Sequence, residues 1–378
     1  MLRTKLRRNQ ELRKKYCDFF HNFVTQNKQR TMMNATEKPT KRIPELDYLK
    51  GCLILLVVSF HLVHFEQLHP YAKQVVYTFH MPGFLMISGY LMNVSKAPRD
   101  FLRTLLWIAV PYLFMASGYI YVASILPIND HIENLTPLVF LDRLLLHPIG
   151  PPWYLHAIVL CGATYYYIYN NVRRGMATRF ILIGIAYYVF AHGLGILSFS
   201  SAMYFLAGAV LRQRGSDFVS FFRPSRLSVL LFVVLVCLSD SPNQSSFEGA
   251  MIAYLALSSL LWLYSKTLSR TPSNSPLKGE DTGEAPLPLR ERRGGSSGRL
   301  SAGSLILFLG RNSLPIYVFS PIFTVLCKRL VPYVQFDPTG LVFLFASLLI
   351  CIGGSLAIAW LMDLTRTGRL FFGRKVIN

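Results

Sequence analysis

Lys50 and His61 stand eleven residues apart in one apolar run, LKGCLILLVVSFHLV. In an α-helix that interval turns through about 1100°, within about 20° of three full turns. The two side chains therefore share a helix face, about 16 Å apart along the axis. Asp47 and His64 fall near the same stripe. An ionisable group within a membrane is costly, which makes it a candidate for function. The plain alternative is a histidine that only hydrogen-bonds a neighbouring helix. Imidazole is suited to proton transfer near neutral pH. Asp47 either pairs with Lys50 one turn on or is an acidic residue favoured by the helix dipole.

The next apolar run opens FHMPGFLMISGYLM, with His80 just ahead of Pro82 and with Ser88 beside Gly89. His80 is a candidate acceptor-side group or an interfacial polar residue. Ser88 and Gly89 let another helix approach closely, in support of a site or simply for packing. Pro82 is expected near the outer end of the run, where a missing backbone bond is cheaper. In GPPWYLHAIVL, Trp153 and Tyr154 can stack on a sugar ring or form part of an aromatic belt. His156 follows one turn into that run. Arg311 and Asn312, at the inner end of a later run, can meet phosphates, although Arg311 reads more simply as a positive-inside anchor. His61, His64 and His69 raise the question of metal. Only the first pair shares a face and no carboxylate lies at ligand spacing, so no metal site is expected.

These residues need a membrane to hold them. Of 378 residues, 52% are hydrophobic and 15% charged, with mean hydropathy +0.37; soluble domains carry about 25% charged residues. The formal charge of +20 does not point to nucleic acid, because the basic residues sit in short clusters between apolar runs. Ten candidate spans follow: 49–65, 75–92, 104–126, 153–171, 180–197, 199–213, 227–239, 248–265, 304–330 and 340–362, with 180–213 a possible single bent element. Lys and Arg concentrate in alternate connections, which places both termini in the cytoplasm. The fold expected is an all-α polytopic membrane bundle of about ten helices, of unknown oligomeric state, surrounded by lipid. Residues 1–41 read as a basic cytoplasmic tail, and Met32 or Met33 is an alternative start that would leave 1–31 untranslated. The membrane domain spans 42–365, and 366–378 form a cytoplasmic tail. The stretch 271–303, rich in Pro, Gly, Ser and charge, reads as a disordered cytoplasmic loop. The six cysteines show no ligand spacing and are read as small apolar fillers.

ELDYLKGCLILLVVSFH followed by FHMPGFLMISGYLM resembles the bacterial acyltransferase 3 family, in particular its fucose 4-O-acetylase-like branch. GPPWYLHAIVL, YFLAGAVLR and FLGRNSLPIYVFS resemble further family segments in the same order, from about residue 42 to 330. The resemblance implies an inner-membrane enzyme that moves an acyl group, usually acetyl from acetyl-CoA, to a hydroxyl of a surface glycan or its lipid-linked precursor. His61 then matches the family's first-span histidine and becomes the expected catalytic base. Lys50 stands where many members have arginine, and with Arg311 and Asn312 would meet the acyl-CoA phosphates. His80, Trp153, Tyr154 and His156 would face the acceptor, with Asp47 and Ser88 in support. Ser320 stands where many members have histidine. The alternative is a transporter or flippase of a glycan intermediate, which would be expected to show paired broken helices in two halves.

Overall fold

The computed structural model describes residues 42–126, 130–267 and 302–377, and every regular element among them is helical. The helices are α1 (Pro44–Ser59), α2 (Val63–Leu68), α3 (Pro70–Leu91), α4 (Pro98–Ile125), α5 (Pro137–Leu145), α6 (Trp153–Asn171), α7 (Met176–Tyr188), α8 (Phe199–Gln213), α9 (Phe218–Phe222), α10 (Arg226–Leu238), α11 (Phe247–Thr267), α12 (Ala302–Arg311), α13 (Ser313–Cys327), α14 (Leu341–Leu364) and α15 (Thr367–Phe372). The N-terminal tail 1–41 lies outside the described residues, as does the polar loop 271–303 except for its last two positions, which open α12.

The helix starts follow local chemistry. Proline occupies the first position of α1, α3, α4 and α5, where its missing N–H costs nothing. Ser225 and Ser228 form a reciprocal capping box at α10. Asp337 accepts from the Thr339 amide and hydroxyl and from the Val342 amide at the start of α14, and these bonds hold its carboxyl below its ordinary value.

Every apolar run read from the sequence contains a helix. By length and composition, five segments are able to cross a bilayer: Pro98–Ile125, Met176–Gly193, Phe247–Thr267, Ser313–Tyr333 and Leu341–Leu364. These are also the segments that show much of their apolar surface outward, with Phe114, Leu182, Ile322 and Phe345 exposed. Hydrocarbon solvates such faces as well as protein does. The helices with polar residues, α1 and α3, are instead wrapped by others: α1 packs against α3, α11, α12, α13 and α14.

Two tight crossings organise that interior. Gly51 lies against the Ile306 carbonyl and Gly310 against the Asp47 carbonyl, so α1 and α12 meet backbone to backbone. Gly89 and Gly208 do the same for α3 and α8, against the Phe205 and Met86 carbonyls. Only residues without a Cβ permit this approach.

Several expected boundaries shift. The ninth run divides at Asn312 into α12 and α13, yet Asn312 donates to the Phe308 carbonyl and Ile316 to the Asn312 carbonyl, so the junction is a kink in one path. The region 180–213 forms two helices separated by a π turn at Val189–Gly193 and a short connection. Pro82 lies in the interior of α3 and not near its outer end. Its ring nitrogen has no proton for the Thr78 carbonyl, which leaves that acceptor free of its usual helix bond.

Substituting Gly310→Ala drives a methyl into the Asp47 backbone and is expected to cost about 1–3 kcal/mol. Gly118→Ala, on α4 with nothing near, is expected to hold or gain stability. Thermal unfolding of the two purified variants in detergent checks the contrast.

Candidate active site

His61 falls just beyond the regular part of α1, in the turn Phe60–Leu62. Its amide still donates to the Val57 carbonyl at 3.1 Å, so the helical path carries through it. The ring is fixed by its own backbone: Nδ1 lies 2.6 Å from the Val57 carbonyl oxygen. A carbonyl can only accept, so Nδ1 carries the proton and the neutral ring keeps its lone pair at Nε2. His80 repeats the arrangement on α3, with Nδ1 2.7 Å from the Val76 carbonyl. Two imidazoles thus present basic nitrogens rather than protons.

Both line one cavity of about 490 Å³. Its walls come from one end of the bundle: the turn after α1, the first half of α3, the start of α6, the α10–α11 connection and α13. Trp153 lines it, as do Tyr77, Gln74, Thr78, Asn243, Gln244 and Tyr317. This is a mixed surface of aromatic faces and neutral hydrogen-bonding groups. Lys73 adds a cation at the rim, held by Glu66 at 3.0 Å and poised 5.5 Å over the Tyr77 ring.

Trp153 arrives there through a turn that needs glycine. Gly150 has φ of +64°, and the Tyr119 ring occupies the place a Cβ would take. The turn directs Pro151 and Trp153 into the cavity wall.

A separate cluster forms toward the first turn of α1. Lys50 Nζ lies 2.7 Å from Asp47 Oδ1, and Arg311 Nε 3.8 Å from Asp47 Oδ2. One largely buried carboxylate therefore gathers two cations from two helices. Asn312 is fully buried beside them and donates its amide to the Phe308 carbonyl at 2.9 Å.

The remaining candidates sit elsewhere. Tyr154 turns away from the cavity wall, and its hydroxyl meets Ser88 Oγ at 2.9 Å, joining α6 to α3. His156 is buried against Tyr112, with Nε2 2.9 Å from the Leu145 carbonyl. His156 is absent from the cavity wall. Ser320 is buried and absent from the cavity wall. His64 packs edge-on to Phe343, and His69 bonds the Thr339 carbonyl. Among the described residues no group of three His, Cys, Asp or Glu side chains is placed to hold a metal ion.

Sequence reasoning missed Tyr77, Gln74, Thr78, Tyr317 and the 241–244 connection. Three of these carried a signal. Gln74, Tyr77 and Thr78 follow i, i+3, i+4 spacing and make a short polar stripe on the first half of α3.

A family model described as an acyltransferase domain matches residues 43–361. The chain belongs to the acyltransferase 3 family. The match runs from the start of α1 almost to the end of α14, so the cavity and the Asp47 cluster both lie inside it. The nodulation protein NolL of Sinorhizobium fredii (strain NBRC 101917 / NGR234) is 38% identical over 80 residues, covering 18% of this chain and 22% of that protein. The chain thus matches about a fifth of that relative's length. No solved structure matches.

Asp47→Asn is expected to leave Lys50 and Arg311 without their shared counter-ion and to lower stability by about 1–3 kcal/mol. Unfolding of the purified variant in detergent measures this, with Lys50→Arg as a variant that keeps the ion pair.

Proposed function

We propose that this acyltransferase-family membrane protein transfers acetyl from acetyl-CoA to a hydroxyl of a surface glycan or its lipid-linked precursor. The observation that carries the reading is His61, whose Nδ1 is committed to the Val57 carbonyl while its ring lines a polar, aromatic-walled cavity. His61 Nε2 takes the proton of the acceptor hydroxyl. The oxygen attacks the thioester carbonyl, the C–S bond breaks, and the departing CoA thiolate recovers the proton from the imidazolium. His80 accepts a second hydrogen bond from the acceptor, and Trp153 offers a face for its ring.

The donor enters from the opposite end of α1. Lys50 and Arg311 supply positive charge for the CoA phosphates, with Asn312 beside them, and Asp47 keeps both cations in place before the donor binds. Lys50 is a point charge rather than a planar fork, so it attracts the phosphates without fixing their orientation. Ser88 acts at a distance by bonding Tyr154, which tightens α3 against α6. Tyr154 and His156 shape the acceptor end through packing.

The proposed topology has ten crossings of the inner membrane with both termini in the cytoplasm. Two relationships support it. Tyr90, near the end of α3, bonds the Ser216 carbonyl just past α8, so these two helices run the same way. Gly310 meets Asp47 near the start of α1 while Tyr317 reaches the cavity beside Val57 and His61, so α12–α13 and α1 do as well. Strict alternation of ten spans requires both.

Mass spectrometry of the surface glycan from cells expressing each variant tests the assignment. His61→Ala is expected to reduce acylation by about 100-fold or more. Acylation at the wild-type level would overturn the role given to His61. Lys50→Ala is expected to raise the KM for acetyl-CoA about tenfold, measured with isolated membranes.

A further inference from the structure

The cavity contains two tyrosines whose hydroxyls do not point at its contents. Tyr77 donates to the Phe60 carbonyl at 2.9 Å. Phe60 immediately precedes His61, in the turn where α1 ends and its last carbonyls lose their helical partners. The Tyr77 ring lies between the two histidines, with centroids 6.1 Å from His61 and 5.0 Å from His80. Tyr317 donates to the Pro151 carbonyl, two residues before Trp153. Its ring stands edge-on to Tyr154 at 5.5 Å, and Tyr154 in turn stands edge-on to Trp153.

The two contacts have the same form. Each tyrosine sits on a packed helix, reaches across to the backbone that delivers a cavity residue, and satisfies a carbonyl with its only proton. A hydroxyl used in this way cannot also donate to a substrate. The side chain is therefore available for positioning and for wall area.

We propose that Tyr77 and Tyr317 are positioning residues with separate duties: Tyr77 sets the base His61, and Tyr317 sets the acceptor wall at Trp153. The proposal rests on the acyl-transfer reading of the cavity. Without the Tyr77 hydroxyl, the turn at Phe60–Leu62 is held to α3 only by packing, and Nε2 of His61 drifts from the line of proton transfer. A displacement of about 1 Å is enough to cost about 100-fold in rate. Without the Tyr317 hydroxyl, the Gly150–Pro152 turn loosens and the acceptor binds less well while the base stays in place.

The test uses membranes from cells expressing the full chain, with radiolabelled acetyl-CoA and the endogenous membrane glycan as acceptor. Rates are normalised to folded protein by size-exclusion chromatography in detergent. Tyr77→Phe is expected to lower kcat by about 10- to 100-fold with both KM values within about twofold of wild type. Tyr317→Phe is expected to raise the acceptor KM about fivefold or more, with its effect on kcat under about twofold. Combined with His61→Gln, Tyr77→Phe is expected to add nothing to the residual rate, because both changes act through one group.

Wild-type kcat in Tyr77→Phe alongside an inactive His61→Ala overturns the proposal and leaves the acyl-transfer reading standing. The same pattern of kcat and KM change in Tyr77→Phe and Tyr317→Phe overturns it also, since that is what general loosening produces. A further loss of rate when Tyr77→Phe is added to His61→Gln contradicts it independently. Full transfer by His61→Ala removes the acyl-transfer reading and the proposal with it.

Discussion

Helix α1 carries a carboxylate, an ammonium and, at its end, an imidazole, and none of these can face hydrocarbon at acceptable cost. Most of what surrounds it follows from that constraint. The two cations and Asp47 are closed into one cluster by bringing α12 into backbone contact, and that contact requires Gly51 and Gly310. The imidazole is satisfied within its own helix by the Val57 carbonyl and beside it by α3. With α1 thus enclosed, the long apolar helices such as α4 and α14 are left to the periphery, where their outward leucines and phenylalanines meet lipid.

The enclosure also divides the chemistry. Positive charge gathers near the first turns of α1, and the cavity opens at its other end. A CoA thioester is anionic at one end and reactive at the other, so the separation of about 16 Å between Lys50 and His61 along the helical path would match the polarity of the proposed donor. The cavity, the proposed acceptor end, has a different character. Its groups are neutral amides, hydroxyls, aromatic faces and two imidazoles with free lone pairs, which suits a polyhydroxylated ring better than an anion. Lys73 does not upset this, because Glu66 already balances it.

Much of the fold was legible in the sequence because each run of apolar residues has only one way to satisfy its backbone in a membrane. The alternating Lys and Arg clusters gave only an expected orientation, which rests on the sequence alone. Lys50 and His61 were legible from helical spacing, and His80 and Trp153 from residue type beside an apolar run. Tyr154 and His156 share those signals yet are turned to helix packing, since sequence spacing alone does not say which face of α6 meets the cavity. The break at Asn312 was passed over although Arg311, Asn312 and Ser313 interrupt the apolar run, because the stretches beyond them on both sides read as one continuous span. The 241–244 connection reads as an ordinary polar loop, and only the folding of α10 against α11 brings it over His61 and His80. Tyr77 and Tyr317 were not singled out in the sequence, since their value lies in carbonyls that are distant along the chain.

The central claim is that a single donor molecule spans α1, phosphates at one end and acyl group at the other. A cryo-electron microscopy structure of the protein in lipid nanodiscs with a non-hydrolysable acetyl-CoA analogue measures this directly. The account predicts phosphate density beside Lys50 and Arg311 and the acyl carbonyl within hydrogen-bonding reach of the cavity at His61. Phosphates seated instead at Lys73, or an acyl group remote from His61, would contradict it.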